Sequence, residues 1–365
     1  MPTARTRGSV VVLYNSVSDE GYDALKHVDP AALGFTPTYD IAVATVAEEY
    51  EAIIAALRKE GFQARGVNLQ DKIANLERLV RRGRPDVVFN LVESFHDDAE
   101  LEPAVAGFLD LYRLPYTGAP PMALAICRRK GLMKQLLLAN GVPTPRYHQL
   151  WKPKIAARHG LHYPLIVKPA REDGSAGIEG RSVVYDRPQL VAQLERVFTE
   201  FGAPVLVEEF IEGREFHVGI LGNDPPVMLP PVEYDFSKLP PDQPTVISFA
   251  AKWDPLAEVF HQVDAHCPAE ISKRLTKKIE EVAIRAYRVS GCRDYARLDL
   301  RVSADNHVYV LEVNPNPDLT EGVSFMHSAE VAGHSFSATL RQIVEMAQAR
   351  GAPPPIPRSG DPHLH

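Results

Sequence analysis

Residues 295–318, YARLDLRVSADNHVYVLEVNPNPD, decide how this chain is read. Two runs of alternating polar and apolar residues flank Asp305-Asn306, a dipeptide suited to a two-residue hairpin turn. With that turn, Asp299 lies directly opposite Glu312, and Arg297 opposite Asn314. Opposed residues share a face of the ribbon, and side chains alternate along each strand. One face therefore carries Arg297, Asp299, Glu312 and Asn314; the other carries Leu298, Leu300, Val302, Tyr309, Leu311 and Val313. Burying the apolar face pins the register. Two carboxylates and an amide oxygen at pair distance are hard oxygen ligands suited to Mg²⁺ or Mn²⁺, with phosphate oxygens and water completing the shell. An arginine beside that ion can stabilise the oxyanion that forms when an acyl group is attacked.

Upstream, PLIVKPAREDGSAGIEG (164–180) ends a strand at Lys168 and runs straight into a glycine loop. Backbone N–H groups around Gly174, Ser175 and Ala176 can close on phosphate oxygens, and Lys168 supplies positive charge. The loop matches neither a Walker A sequence nor a GxGxxG fingerprint. In VLVEEFIEGREFHVGILGN (205–223), Glu208, Glu209, Phe210 and Ile211 end a strand that can offer backbone groups to an adenine edge and apolar surface to its face. Glu215 then reaches for a ribose hydroxyl.

Forty basic against 47 acidic residues give a net charge of −7, which speaks against a nucleic-acid or membrane-surface partner. No run of about 18 apolar residues is present, and the N-terminus lacks a signal-peptide core, so a cytoplasmic location is expected. Cys127, Cys267 and Cys292 are far apart and show no metal-ligand spacing.

Working outward, strands are expected at 10–13, 62–67 and 86–92, with helices at 46–57 and 71–82 between them. That alternation predicts a parallel sheet with crossover helices, closed by the PYTGAPP turn at 115–121. One long helix is expected at 123–139, interrupted at Gly131 and stopped by Asn140-Gly141. Short strands (164–169, 182–185, 205–210, 214–221) follow, with a helix near 188–201. Residues 223–262 read as a Pro-rich irregular loop or lid, and helices near 268–289 and 328–348 bracket the hairpin.

In this order the pieces resemble the ATP-grasp superfamily and, within it, the D-alanine–D-alanine ligase family, from about Val87 to Thr320. The resemblance implies an α/β (α+β) ATP-grasp fold: an N-terminal parallel α/β domain (1–121), a small central domain (122–213), a C-terminal domain with an antiparallel sheet (214–350) and a Pro-rich, poorly ordered tail (351–365). It implies ATP and Mg²⁺ (or Mn²⁺) as cofactors, with Lys130 and Lys168 on the phosphates and Lys252 of SFAAKWD near the γ-phosphate. Glu208, Glu209, Ile211 and Glu215 match the nucleoside strand, Arg297 the catalytic arginine, and Asp299, Glu312 and Asn314 the magnesium ligands. A homodimer acting on small carboxylate and amine substrates is implied as well.

The family's serine–tyrosine–glutamate arrangement keeps Ser175, but its tyrosine position is Trp253. The N-terminal Gly-Gly/Ser/Glu signature is absent after Leu13, and a substrate-site histidine position holds Glu93. The ending at 316–321 lacks the family's glycine and serine, leaving Asn316 and Asp318 as candidate substrate contacts. Retained ATP and metal positions beside altered substrate positions predict a carboxylate–amine ligase working through an acyl phosphate on other substrates. The alternatives are an ATP-grasp kinase or phosphotransferase, and a non-catalytic nucleotide-binding module.

Overall fold

A strand with an apolar, buried centre, β1 (Ser9–Tyr14), is flanked in parallel by β2 (Gln63–Asn68) and β3 (Val87–Asn90). This computed structural model describes residues 7–16, 25–41 and 44–351; all but the first residue of the expected tail lies outside them. Parallel neighbours need crossovers, here α1 (Val46–Lys59) and α2 (Ile73–Arg82). A Thr45–Glu48 capping box starts α1, which buries Ile53, Ile54 and Leu57 on the sheet. After α3 (Glu102–Leu111), Tyr116 adds a parallel bridge to Val88, so the 115–121 turn ends against β3.

The helix expected at 123–139 is two helices, α4 (Pro121–Arg128) and α5 (Lys130–Ala139). The break falls at Arg129 (φ −89°, ψ 82°), and Gly131 lies inside α5, where an added Cβ would press on the Gln149 side chain. The break puts Lys130 at the head of α5, where its N–H meets Ala170 O at 3.3 Å.

The central sheet runs antiparallel in the order β4-β7-β5-β6, from β4 (Tyr147–Leu150), β5 (Leu165–Pro169), β6 (Val183–Val184) and β7 (Val205–Glu209). Helix α6 (Arg187–Phe201) covers it through Leu190, Leu194 and Val197. The third sheet has the order β11-β10-β8-β12-β13 with β9 beside β8. Its strands are β8 (Arg214–Leu221), β9 (Val227–Met228), β10 (Val232–Asp235), β11 (Asp264–His266), β12 (Tyr295–Val302) and β13 (Val308–Asn314). Residues 223–262 are thus not wholly irregular: they hold β9, β10 and the short α7 (Phe249–Trp253). Helix α8 (Lys273–Val289) packs on the apolar face, which also takes Met133 and Leu137 of α5. The expected last helix splits into α9 (Ser324–Val331) and α10 (Phe336–Arg350) around Gly333, whose φ is +92°. From there α10 returns to the first sheet, placing Leu340, Ile343 and Val344 among Val10, Val12 and Leu57.

The decisive ribbon pairs as predicted at Arg297↔Asn314 and Asp299↔Glu312, but its turn is different. Val302 pairs with Val308, so the loop is five residues long, closed by Ser303 N–H to His307 O. The register then slips between Asp299 and Leu300, leaving Leu311 unpaired. The longer loop and the bulge cancel, which restores the expected pairing at the polar end. Nearer the loop the faces invert: Val308 and Val310 enter the core, while Tyr309 and Leu311 leave it.

Asp294, wholly buried just before β12, ties three regions together. It accepts from Gly118 N–H (3.0 Å), Asn223 Nδ2 (2.9 Å) and Arg350 Nη1 and Nη2 (2.6 and 2.9 Å). Arg350 also donates to Tyr116 O at 2.6 Å, so the end of α10 is pinned to the 115–121 turn. Removing one partner of a buried pair costs about 3 kcal/mol. Asp294→Ala is expected to lower the unfolding free energy by about that amount in urea titrations; a wild-type midpoint and slope would contradict this clamp.

Candidate active site

Between the central and third sheets lies a cavity of about 790 Å³. Its apolar lining comes from Ile166, Phe210, Ile211, Val246, Ile247 and Leu311, the last exposed to it by the bulge. Its polar lining includes Lys130, Lys168, Ser175, Glu208, Glu209, Glu215, Lys252, Asp299 and Glu312, and Ala176 borders it too. A lining that combines apolar side chains with three lysines suits the base and the phosphates of a nucleotide. Most of the residues expected on ATP meet here, from β5, β7, β8, β12, β13 and two loops.

The glycine loop has consecutive left-handed residues, Gly174 (φ +61°) and Ser175 (φ +64°), followed by Gly177 (φ +72°). Gly177 is also sterically required, since a Cβ would press on Phe201 and Pro169 within 3 Å. The loop is a tight turn in which the Ala176 N–H, expected on phosphate, bonds Asp173 O at 3.1 Å and the Ile178 N–H bonds Ser175 O at 2.9 Å.

The buried charges of Glu208, Lys130, Asp299 and Glu215 around the cavity each have a counter-charge. Glu208 is held by Lys168 at 2.5 Å and Lys134 at 2.7 Å. Burial opposes its charge, but those two ammonium groups hold its carboxyl below the usual range. Lys134, four residues on from Lys130 in α5, was missed in the sequence; helical spacing was the available signal. Lys130 binds Glu312 at 2.6 Å and Asp173 at 3.2 Å, which outweigh burial and raise its pKa. Arg297 forks onto Asp299 with Nε–Oδ1 at 2.7 Å and Nη2–Oδ2 at 3.0 Å. Burial works against the Asp299 and Glu312 carboxylates, yet Arg297 and Lys130 respectively keep both below the usual range. Burial and nearby Arg297 lower the ammonium of Lys252.

Arg301 was also missed, though it shares the face of Arg297 and Asp299 by simple alternation. It binds Glu215 Oε2 at 2.5 Å and Ile211 O at 2.8 Å, stacks on Phe210 at 4.5 Å and reaches Thr245 O. It thereby fixes part of the apolar lining, and Glu215 spends an oxygen on Arg301 while still facing the cavity.

Asp299 and Glu312 face each other across the ladder, and Asn314 Nδ2 is buried without a hydrogen bond. Among the described residues no group of three or more His, Cys, Asp or Glu forms a metal cluster. Two carboxylates plus an amide whose oxygen and nitrogen are interchangeable by a flip nevertheless fit a hard divalent cation shared with phosphates.

The substrate candidates divide. Asn316 accepts from Ala119 N–H (2.9 Å) and donates to Glu102 (3.2 Å), so it braces the 115–121 turn. Trp253 donates Nε1–H to Gly174 O at 2.7 Å, and Phe249 N–H reaches Ile178 O at 3.0 Å. These bonds latch the 245–253 segment over the glycine loop. Glu93 is open to solvent at the cleft, yet the surrounding protein, then Asp318, push its carboxyl up to about 6. Arg128 and Lys252 pull the other way.

Two sheets clasping a cavity suited to a nucleotide, lined by lysines and by a polar ribbon, define an ATP-grasp protein. A family profile described as "D-ala D-ala ligase C-terminus" matches residues 136–345. The D-alanine–D-alanine ligase of Desulforudis audaxviator is 30% identical over 306 residues, 82% of this chain and 92% of its own. The protein y4sG of Sinorhizobium fredii is 33% identical over 307 residues, 82% of this chain and 87% of its own. The chain belongs to the D-alanine–D-alanine ligase family. Its fold matches the solved D-alanine–D-alanine ligase from Bacillus anthracis with a TM-score of 0.70 at 22% identity, covering 94% of this chain and 98% of that one. VanG D-Ala:D-Ser ligase from Enterococcus faecalis gives 0.66 at 20% identity, covering 93% and 99%.

Trp253→Phe keeps the ring and removes the latch bond. Losing one such bond costs about 1 kcal/mol, so nucleotide affinity should fall roughly fivefold while protease cleavage within 240–262 speeds up. Unchanged affinity and cleavage would show that the bond holds nothing.

Proposed function

We propose that this chain is an ATP-dependent carboxylate–amine ligase that forms an amide bond through an acyl phosphate, on a pair of substrates other than two D-alanines. The observation that carries this reading is Arg297, buried beside the two facing carboxylates at the edge of the nucleotide cavity. Besides balancing the charge of Asp299, a guanidinium at this place can stabilise an oxyanion that forms beside the bound phosphates.

Lys130, Lys168 and Lys252 would neutralise the triphosphate, and Asp299, Glu312 and Asn314 would hold a Mg²⁺ that draws the phosphates into line. A substrate carboxylate oxygen attacks the γ-phosphorus, the β–γ P–O bond breaks and ADP leaves. The amine nitrogen then attacks the acyl carbon, Arg297 stabilises the oxyanion, and the C–O bond to phosphate breaks as nitrogen loses a proton. Such chemistry depends on positioning and charge. Ser175, in the glycine loop latched by Trp253, helps position the reacting groups. Removing an oxyanion donor costs about 10²–10³ in rate. Arg297→Ala should lose turnover by that factor while still binding ATP; turnover at the wild-type rate would remove Arg297 from the reaction. The parent assay is phosphate release against pairs of amino acids and small carboxylates, with mass detection of the condensed product. Phosphate retained on substrate without an amide would make the chain a kinase.

Glu93 and Asp318 supply a carboxylate-rich edge for a substrate ammonium in place of the contacts this chain lacks. Glu93 is charged only above about pH 6. The KM of the amine-bearing substrate should therefore rise about tenfold per pH unit below that value, and Glu93→Gln should raise KM and abolish the limb. An identical acid limb in Glu93→Gln would dismiss Glu93 as the ammonium contact. Free thiols at Cys127, Cys267 and Cys292 fit a reducing, cytoplasmic setting. No described helix is long and apolar enough to cross a membrane. Homodimerisation goes with the family resemblance.

A further inference from the structure

One buried ionisable group lining the cavity has no part in the chemistry above. His217 of β8 pairs with Asp299 on the side away from Glu312, so His217, Asp299 and Glu312 form a row across three strands. The imidazole is only 5% exposed. The Tyr234 hydroxyl and Ser324 Oγ both lie 3.0 Å from Nδ1, and the Tyr234 ring stands edge-on at 4.5 Å. Nε2 stands 3.6 Å from Asp299 Oδ2. Either hydroxyl can donate or accept, so the tautomer is set from the other side of the ring: a lone pair on Nε2 would face the Asp299 carboxylate, which places the N–H on Nε2 and leaves Nδ1 as the acceptor. Two hydroxyls converging on the far side of the ring, one from β10 and one from the first residue of α9, set its rotation.

We propose that His217 is a positioning residue for the cation ligand Asp299: anchored by Tyr234 and Ser324, it directs Nε2–H at Oδ2 and so holds the carboxylate in the orientation that a divalent cation shares with Glu312. This rests on the reading of Asp299 as a cation ligand. Arg297 also orients the carboxylate by forking both oxygens, but a cation that shares those oxygens weakens that hold, and His217 approaches Oδ2 from the neighbouring strand. Groups behind a metal ligand act through its orientation, and losing one typically costs 10–100-fold in metal affinity.

The test is Mn²⁺ binding to the full-length protein in the presence of ADP, with free Mn²⁺ read by electron paramagnetic resonance. His217→Asn keeps an acceptor for the two hydroxyls but is too short to reach Asp299. His217→Gln carries an amide N–H near the position of Nε2. His217→Asn should weaken Mn²⁺ binding by about 10–100-fold, and His217→Gln should recover most of it, with both unfolding midpoints close to wild type. Wild-type Mn²⁺ affinity in His217→Asn, or equal losses in the two variants, overturns the proposal, the second outcome marking a packing role. Asp299→Asn separates the two levels. If it binds Mn²⁺ as wild type does, the cation reading falls and the His217 role with it. If Asp299→Asn loses binding while His217→Asn does not, only the His217 role falls.

Discussion

Asp299 and Glu312, set opposite each other on paired strands at a water-poor cleft, repel, and the arrangement around them answers that repulsion. Burying a charge without a partner is prohibitively unfavourable. Arg297 therefore lies on Asp299, and Lys130 on Glu312. The same rule extends along the cavity, where Lys134 and Lys168 share Glu208 and Arg301 holds Glu215. In the proposed reaction a nucleotide carrying a divalent cation would enter this lattice as a further alternation of charge, its phosphates on the lysines and its cation on the two acids. The scaffold that fixes the lattice is remote: the Asp294–Arg350 clamp joins the start of β12 to the 115–121 turn and the last helix.

Much of this was legible before any coordinates because it rests on alternation along strands and on charge type. Asp299 and Glu312 could be paired from sequence, yet the reason was only partly right. The hairpin has a five-residue loop and a bulge at Leu311, two one-residue shifts that cancel where the chemistry lies. Nearer the loop nothing cancels, which is why Tyr309 and Leu311 were assigned to the wrong face. Lys134 and Arg301 were overlooked because each lies one period beyond a recognised residue and has a partner brought in from a distant strand. Local patterns do not reveal such partners. Asn316 and Trp253 could be singled out as unusual, but their use as brace and latch depends on the Ala119 and Gly174 backbones, contacts that no spacing rule supplies. The break at Arg129 was likewise hidden, since the more obvious helix-weakening residue, Gly131, is needed for clearance against Gln149.

In the proposed reaction the nucleotide end and the cleft mouth face different physical demands. Phosphate and cation make the same demands whichever acid is activated, so their ligands are constrained by geometry and charge alone. In the proposed reaction the cleft mouth answers to the substrate, and there the surrounding protein first, and then the nearby Asp318, raise the Glu93 pKa. A cationic group placed between them would relieve that repulsion, much as Lys130 and Arg297 relieve the pair inside.

The most direct measurement is a double-mutant cycle on Mg²⁺-dependent tightening of ATP binding, using Asp299→Asn, Glu312→Gln and the double variant. Two acids sharing one cation act as a unit, so either single change should remove nearly the whole Mg²⁺-dependent increment and the second should add little. Strictly additive losses, or an undiminished increment in the double variant, would mean that the facing carboxylates do not hold a common ion.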